Sequence, residues 1–86
     1  MDIEWDAKAA ANFKHGVRFE EGATSLLDPL ALAQEDESAE GEARWVLVGM
    51  SGNARLLTVV YTLRDGTRIR LISARKATRK EADYYA

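Results

Sequence analysis

The sequence predicts an α+β domain: N-terminal helices packed on a small curved antiparallel sheet (a meander), with a short C-terminal helix. Three observations predict it. Helix formers and helix-spaced apolar residues fill the first third of the chain. Three runs with period-two alternation, separated by tight turns, occupy residues 44–77. A Thr-x-x-Glu signature at Thr78 and Glu81 then opens a last helix.

Residues 2–5 alternate Ile3 against Glu4 and predict a short edge strand. Asp6 stands as an N-cap, its carboxylate available to the free amides of the first turn. Residues 7–14, AKAAANFK, are strong helix formers, and Gly16 follows where a helix end accepts a left-handed residue. Trp5, Ala9 and Phe13 recur every four residues and predict the packing stripe. A second helix is predicted over 19–27, with Phe19, Ala23, Leu26 and Leu27 on one face. Gly22 weakens it, and Asp28-Pro29 stops it because the residue before proline is pushed out of the α region.

A strand is predicted over 30–33. The run EDESAEGE at 35–42 carries five acids in eight residues and reads as a loop. Strands over 44–50 and 55–63 are joined at Ser51-Gly52-Asn53, and Arg64-Asp65-Gly66 delivers the chain to a strand over 67–77. A helix over 79–85 ends the chain. With helices on one face of the sheet, the other face is left free to bind.

The strand at 67–77, TRIRLISARKA, sets the functional reading. Strict alternation puts Ile69, Leu71 and Ser73 on one side and Arg68, Arg70 and Ile72 on the other, with Arg75 and Lys76 at its end. Cations on a buried strand would be costly to desolvate. They suit a surface that meets anions, and the guanidinium fork matches phosphate oxygens. A merely solvated sheet face is the plainer alternative.

Eighty-six residues make one domain, which buries only about 60–65% of its unfolded surface. The absence of cysteine excludes a disulfide framework, a thiolate zinc site and a cysteine nucleophile. One histidine and the spacing of the acidic run match no metal loop, so neither metal nor cofactor is expected. No apolar run approaches the roughly 18 residues of a membrane span. The N-terminus MDIEWD is acidic rather than signal-like, so a cytoplasmic protein without membrane contact is expected. The net charge of −2 hides a segregation: residues 1–42 hold eleven acids and three bases, residues 43–86 nine bases and three acids. A basic C-terminal half suggests a polyanion as partner.

In order along the chain stand Trp5-Asp6, the run KAAAN at 8–12, Lys14-His15-Gly16-Val17, Phe19-Glu20-Glu21, Asp28-Pro29, Glu42-x-Arg44 and Arg70-x-Ile72-Ser73-Ala74-Arg75-x-Ala77. Over nearly its whole length the sequence thereby resembles the BrnT family of type II toxins, ribonucleases with a RelE-like fold. The resemblance implies RNA as substrate, a cognate BrnA-type antitoxin as partner, and operator DNA bound only through that antitoxin. The segment between Asp6 and Lys14 is a residue or two shorter than is usual in the family. That feature favours the alternative, a catalytically silent RNA- or antitoxin-binding homologue. An interaction domain whose sheet pairs with itself as a homodimer is a third reading.

Metal-independent cleavage by the substrate's own 2′-hydroxyl needs a base for that proton, cations for the crowded phosphate and an acid for the leaving oxygen. His15, with a reference pKa of about 6.5, is the candidate base or acid; its structural alternative is a helix-end imidazole. Glu42 and Arg44, two apart on a strand, share a face, Glu42 as base and Arg44 on the phosphate, or they form an exposed ion pair of little worth. Arg70 and Arg75 are the candidates for transition-state charge. Lys14, Arg68, Lys76 and Arg79 would extend the RNA track. Tyr84 and Tyr85 could stack on bases, although packing of the last helix is the plainer role. Trp5 and Trp45 are expected in the core, and Ser73 is expected to satisfy backbone. The acidic run is expected to fold over the basic sheet or to receive basic residues of the antitoxin.

Overall fold

Asp6 starts the first helix as the sequence predicts: its Oδ1 accepts the Lys8 amide at 2.8 Å. The computed structural model describes residues 2–11, 16–36 and 43–85, and the elements follow in the order β1 (Asp2–Trp5), α1 (Ala7–Ala11), α2 (Phe19–Ser25), β2 (Leu32–Asp36), β3 (Arg44–Met50), β4 (Leu56–Arg64), β5 (Arg68–Lys76) and α3 (Arg79–Tyr84). The five strands form one sheet in the order β1-β5-β4-β3-β2. Strands β2 to β5 are antiparallel neighbours, and β3-β4-β5 is the predicted meander. However, β1 pairs parallel to β5, so the sheet is mixed and not antiparallel throughout. Period-two alternation is common to both kinds of strand, so it carries neither partner nor direction.

The turns follow their residues. Asp65 and Gly66 both take positive φ, 55° and 75°, the pair of left-handed residues that a tight Asp-Gly hairpin demands. Gly16 takes φ 69°, three residues ahead of α2. Helix α2 is shorter than predicted. Its end tightens into i→i+3 bonds from Leu26 to Ala23 and from Leu27 to Thr24. Leu27 therefore leaves the buried face and is 69% exposed. Strand β2 begins two residues later than expected and takes Glu35 and Asp36 out of the predicted loop.

One face of the sheet is dry. Val17, Phe19, Leu47, Leu57, Val59, Tyr61, Ile69, Leu71 and Ala74 form the core, with Ile3, Trp5, Ala10 and Trp45 packed against it. Both tryptophans thus join the core as expected; the Trp5 ring meets Phe19 edge-on at 6.1 Å. From α1 it is Ala10, not Ala9, that packs inward, and Phe13 lies outside the described residues. Gly22 is more than a weak point in α2: a Cβ there would stand 2.8 Å from the Ala74 Cβ, so the bare backbone permits the close approach of helix to sheet.

Helix α3 does not join α2 on that dry face. Its Glu81 bonds Thr58 and Arg75, whose strand positions lie on the opposite face. The expectation of one bare sheet face is thereby corrected: part of it is covered by α3. The reason is an ion pair between β5 and a helix that follows it by two residues, which no pattern of apolar residues announces.

Candidate functional site

A single irregularity in β5 assembles the cationic face. Opposite β4, Tyr61 pairs with Leu71 and Val60 with Ser73, leaving Ile72 as an extra residue. The bulge reverses the alternation beyond it. Ala74 faces the core beside Val59, while Ser73 and Arg75 turn to the face of Arg68 and Arg70. Strict alternation, which places Ser73 with Ile69 and Leu71, is corrected here; without the bulge Arg75 would point at the core.

Directly opposed residues share a face, so the registers give the outer surface row by row. One row runs Glu4, Arg70, Thr62, Arg44, Asp36 from β1 to β2. Next to it, toward the Asp65 turn, lie Asp2, Arg68 and Arg64. On the other side come Ser73, Val60, Val46 and Gln34, then Arg75, Thr58, Val48 and Leu32. Four sequence-predicted residues, Arg44, Arg68, Arg70 and Arg75, are therefore brought together. Lys76 is not: it lies opposite Leu57, on the other face. Arg79 is exposed at the start of α3. Lys14, His15 and Glu42 lie outside the described residues, as do residues 37–42 of the acidic run.

The arginines are held by carboxylates the sequence reading did not assign to them. Glu4 takes Arg70 at 3.1 Å and Arg68 at 3.3 Å. Arg75 grips Glu81 with both terminal nitrogens, at 2.7 and 2.8 Å. Glu81 also completes the predicted capping box with Thr78 and accepts the Thr58 hydroxyl at 2.9 Å. The Arg75 fork, against a smaller cost of burial, holds the Glu81 carboxyl down at about 2, with help from the Thr78 amide and Thr58. Beside this pair, α3 and the β2–β3 edge bound a largely apolar groove of about 400 Å³ that includes Leu32, Val46, Val48 and Tyr84. The two tyrosines divide: Tyr84 is 61% exposed at the groove, while the Tyr85 hydroxyl donates to Asp28.

A second carboxylate centre lies at the other hairpin. Glu21 of α2 accepts the Arg55 guanidinium through both oxygens and the Ser51 hydroxyl at 2.7 Å. The Arg55 bonds, opposed by burial and aided by Ser51, hold its carboxyl at about 2. Sequence reading missed this pair, since 34 positions separate its members. It also missed Thr62, whose place between two arginines exists only through the register.

Fold and face together define a class: a small α+β domain that carries guanidiniums in rows across one side of its sheet. Residues 5–81 match the model of the family described as "Ribonuclease toxin, BrnT, of type II toxin-antitoxin system". The chain belongs to that family. Among solved structures it is similar to the ribonuclease toxin BrnT of Brucella abortus, determined at 1.1 Å, with a TM-score of 0.71 and 20% identity over 92% of this chain and 99% of that one. That likeness establishes the shared fold. No curated protein matches the chain. Membership of a type II toxin–antitoxin family implies a protein antitoxin as partner. Among the described residues no helix is long and apolar enough to cross a membrane.

Proposed function

We propose that the chain is an endoribonuclease that binds RNA along the outer face of its sheet and cuts it without a metal ion. Arg44, Arg70 and Arg75 hold the phosphate and its developing charge, and Arg68 and Arg79 extend the track. His15 and Glu42 supply the proton transfers, and Lys14 binds phosphate beside them. The bulge at Ile72 is the observation that carries this reading, because it turns Arg75 away from the core and onto the face of the other three arginines. Guanidiniums spread over neighbouring strands suit a phosphate chain better than a single small anion. A BrnA-type antitoxin neutralises the enzyme, and operator DNA is engaged only through that antitoxin.

The test is incubation of purified protein with a defined RNA in EDTA, with Arg75→Ala alongside. Wild type cleaves, and the variant is slowed by about 100-fold, the usual loss for one transition-state donor. Intact RNA from a folded wild type would overturn catalysis and favour a silent RNA- or antitoxin-binding homologue.

A further inference from the structure

We propose that Thr62, between Arg70 and Arg44, is the floor of a phosphate subsite, its hydroxyl donating to a phosphate oxygen that the two guanidiniums also engage. This rests on the reading of the outer face as an RNA surface. Thr62 is 2% exposed and its Oγ1 has no hydrogen-bond partner. A buried hydroxyl without a partner costs free energy that an isosteric valine would avoid. Valine is accommodated on this same face at positions 46 and 60, so the strand geometry does not demand threonine. Thr58, two rows away on β4, shows the contrast: its hydroxyl is satisfied by Glu81. Among the described residues the other unpartnered buried hydroxyl is Ser25, the last residue of α2, on the core side.

The surroundings of Thr62 suit an anion. Arg70 is its partner on β5 and Arg44 its partner on β3, so an arginine flanks it on each neighbouring strand. A hydroxyl donor between two guanidiniums offers hydrogen bonds to three phosphate oxygens. For a ligand to reach the floor the neighbouring side chains must part. Arg70 is tied to Glu4 and, more loosely, to Asp6 at 3.9 Å; all three side chains are partly exposed, at 30%, 36% and 55%, so these pairs open at little cost.

Thr62→Val separates this role from a purely structural one, because the two readings predict different pairs of results. The probe is a short 2′-O-methyl RNA, which cannot be cut through its own 2′-hydroxyl. With the subsite, Thr62→Val raises Tm by a few degrees, since the unpartnered hydroxyl is gone, and weakens binding of the probe about tenfold, the loss of one hydrogen bond to a charged group. Thr62→Ser restores binding. Unchanged binding by a folded Thr62→Val overturns the subsite, whatever its Tm. Thr62-dependent binding by a wild type that leaves unmodified RNA intact would uphold the subsite and overturn the nuclease. A folded wild type that fails to bind the probe at all would overturn both.

Discussion

Among the described residues, the carboxylate–arginine clamps of Glu21 and Glu81 differ in what surrounds them. Glu21 on α2 grips Arg55 and Ser51 in the turn of the β3–β4 hairpin. Glu81 on α3 grips Arg75 and Thr58 on the outer face. Each combines a forked guanidinium with a hydroxyl, and each carboxyl is held down to about 2. Yet the Glu21 side chain is 10% exposed and that of Glu81 is 22%. Arg55 stands apart from the cationic rows, whereas Arg75 lies in one of them. The same chemistry therefore serves as a weld in one place and covers one of the proposed RNA-binding arginines in the other.

The largest effect should come from breaking the weld. Glu21→Ala leaves Arg55 and Ser51 without their common partner and should cost about 2 kcal/mol. That corresponds to a fall in Tm of roughly 10 °C in a domain of this size, read by thermal denaturation. The outer face keeps its arginines, so binding of RNA well below the new Tm should not change. Equal sensitivity of binding to this variant would erase the distinction between the clamps.

Acid should act on both clamps together. Each carboxyl ionises near 2 in the folded protein against 4.5 as an isolated side chain. The stability they contribute is therefore complete above about pH 5 and is lost as pH falls from 4.5 toward 2. Urea unfolding at stepped pH should show this loss, and Glu21→Gln with Glu81→Gln should flatten it. A double variant with the wild-type slope in that window would place the acid sensitivity elsewhere.

The smallest effect on stability, and the most informative, belongs to Glu81→Gln. Glutamine retains the capping role, so the loss should stay under about 1 kcal/mol. Freed from its carboxylate, Arg75 should bind RNA about fivefold more tightly, the equivalent of the pair it no longer makes. Weaker binding would mean that Glu81 positions Arg75 for RNA rather than competing with it.

What could be read from the residues follows a physical division. Signals that act within a few positions were legible: the Asp6 cap, the Asp65-Gly66 hairpin, the Thr78–Glu81 box and the run of arginines on β5. Their energetics are local, decided by capping bonds, left-handed backbone and alternation. The family resemblance was legible too, since it rests on motifs in order. Of the candidate site, Arg44, Arg68, Arg70 and Arg75 proved to be neighbours, while Lys76 falls on the opposite face.

By itself, then, the sequence determined the α+β class, the meander and the concentration of guanidinium on one strand. Only the tertiary structure decided that β1 runs parallel at the edge, that α3 lies over the outer face, and that Arg75 shares that face at all. Each of these depends on which strand lies beside which and in what register. An extra residue at Ile72 reverses every side chain beyond it, yet it leaves the composition and hydrophobic pattern of the strand almost as they would be without it.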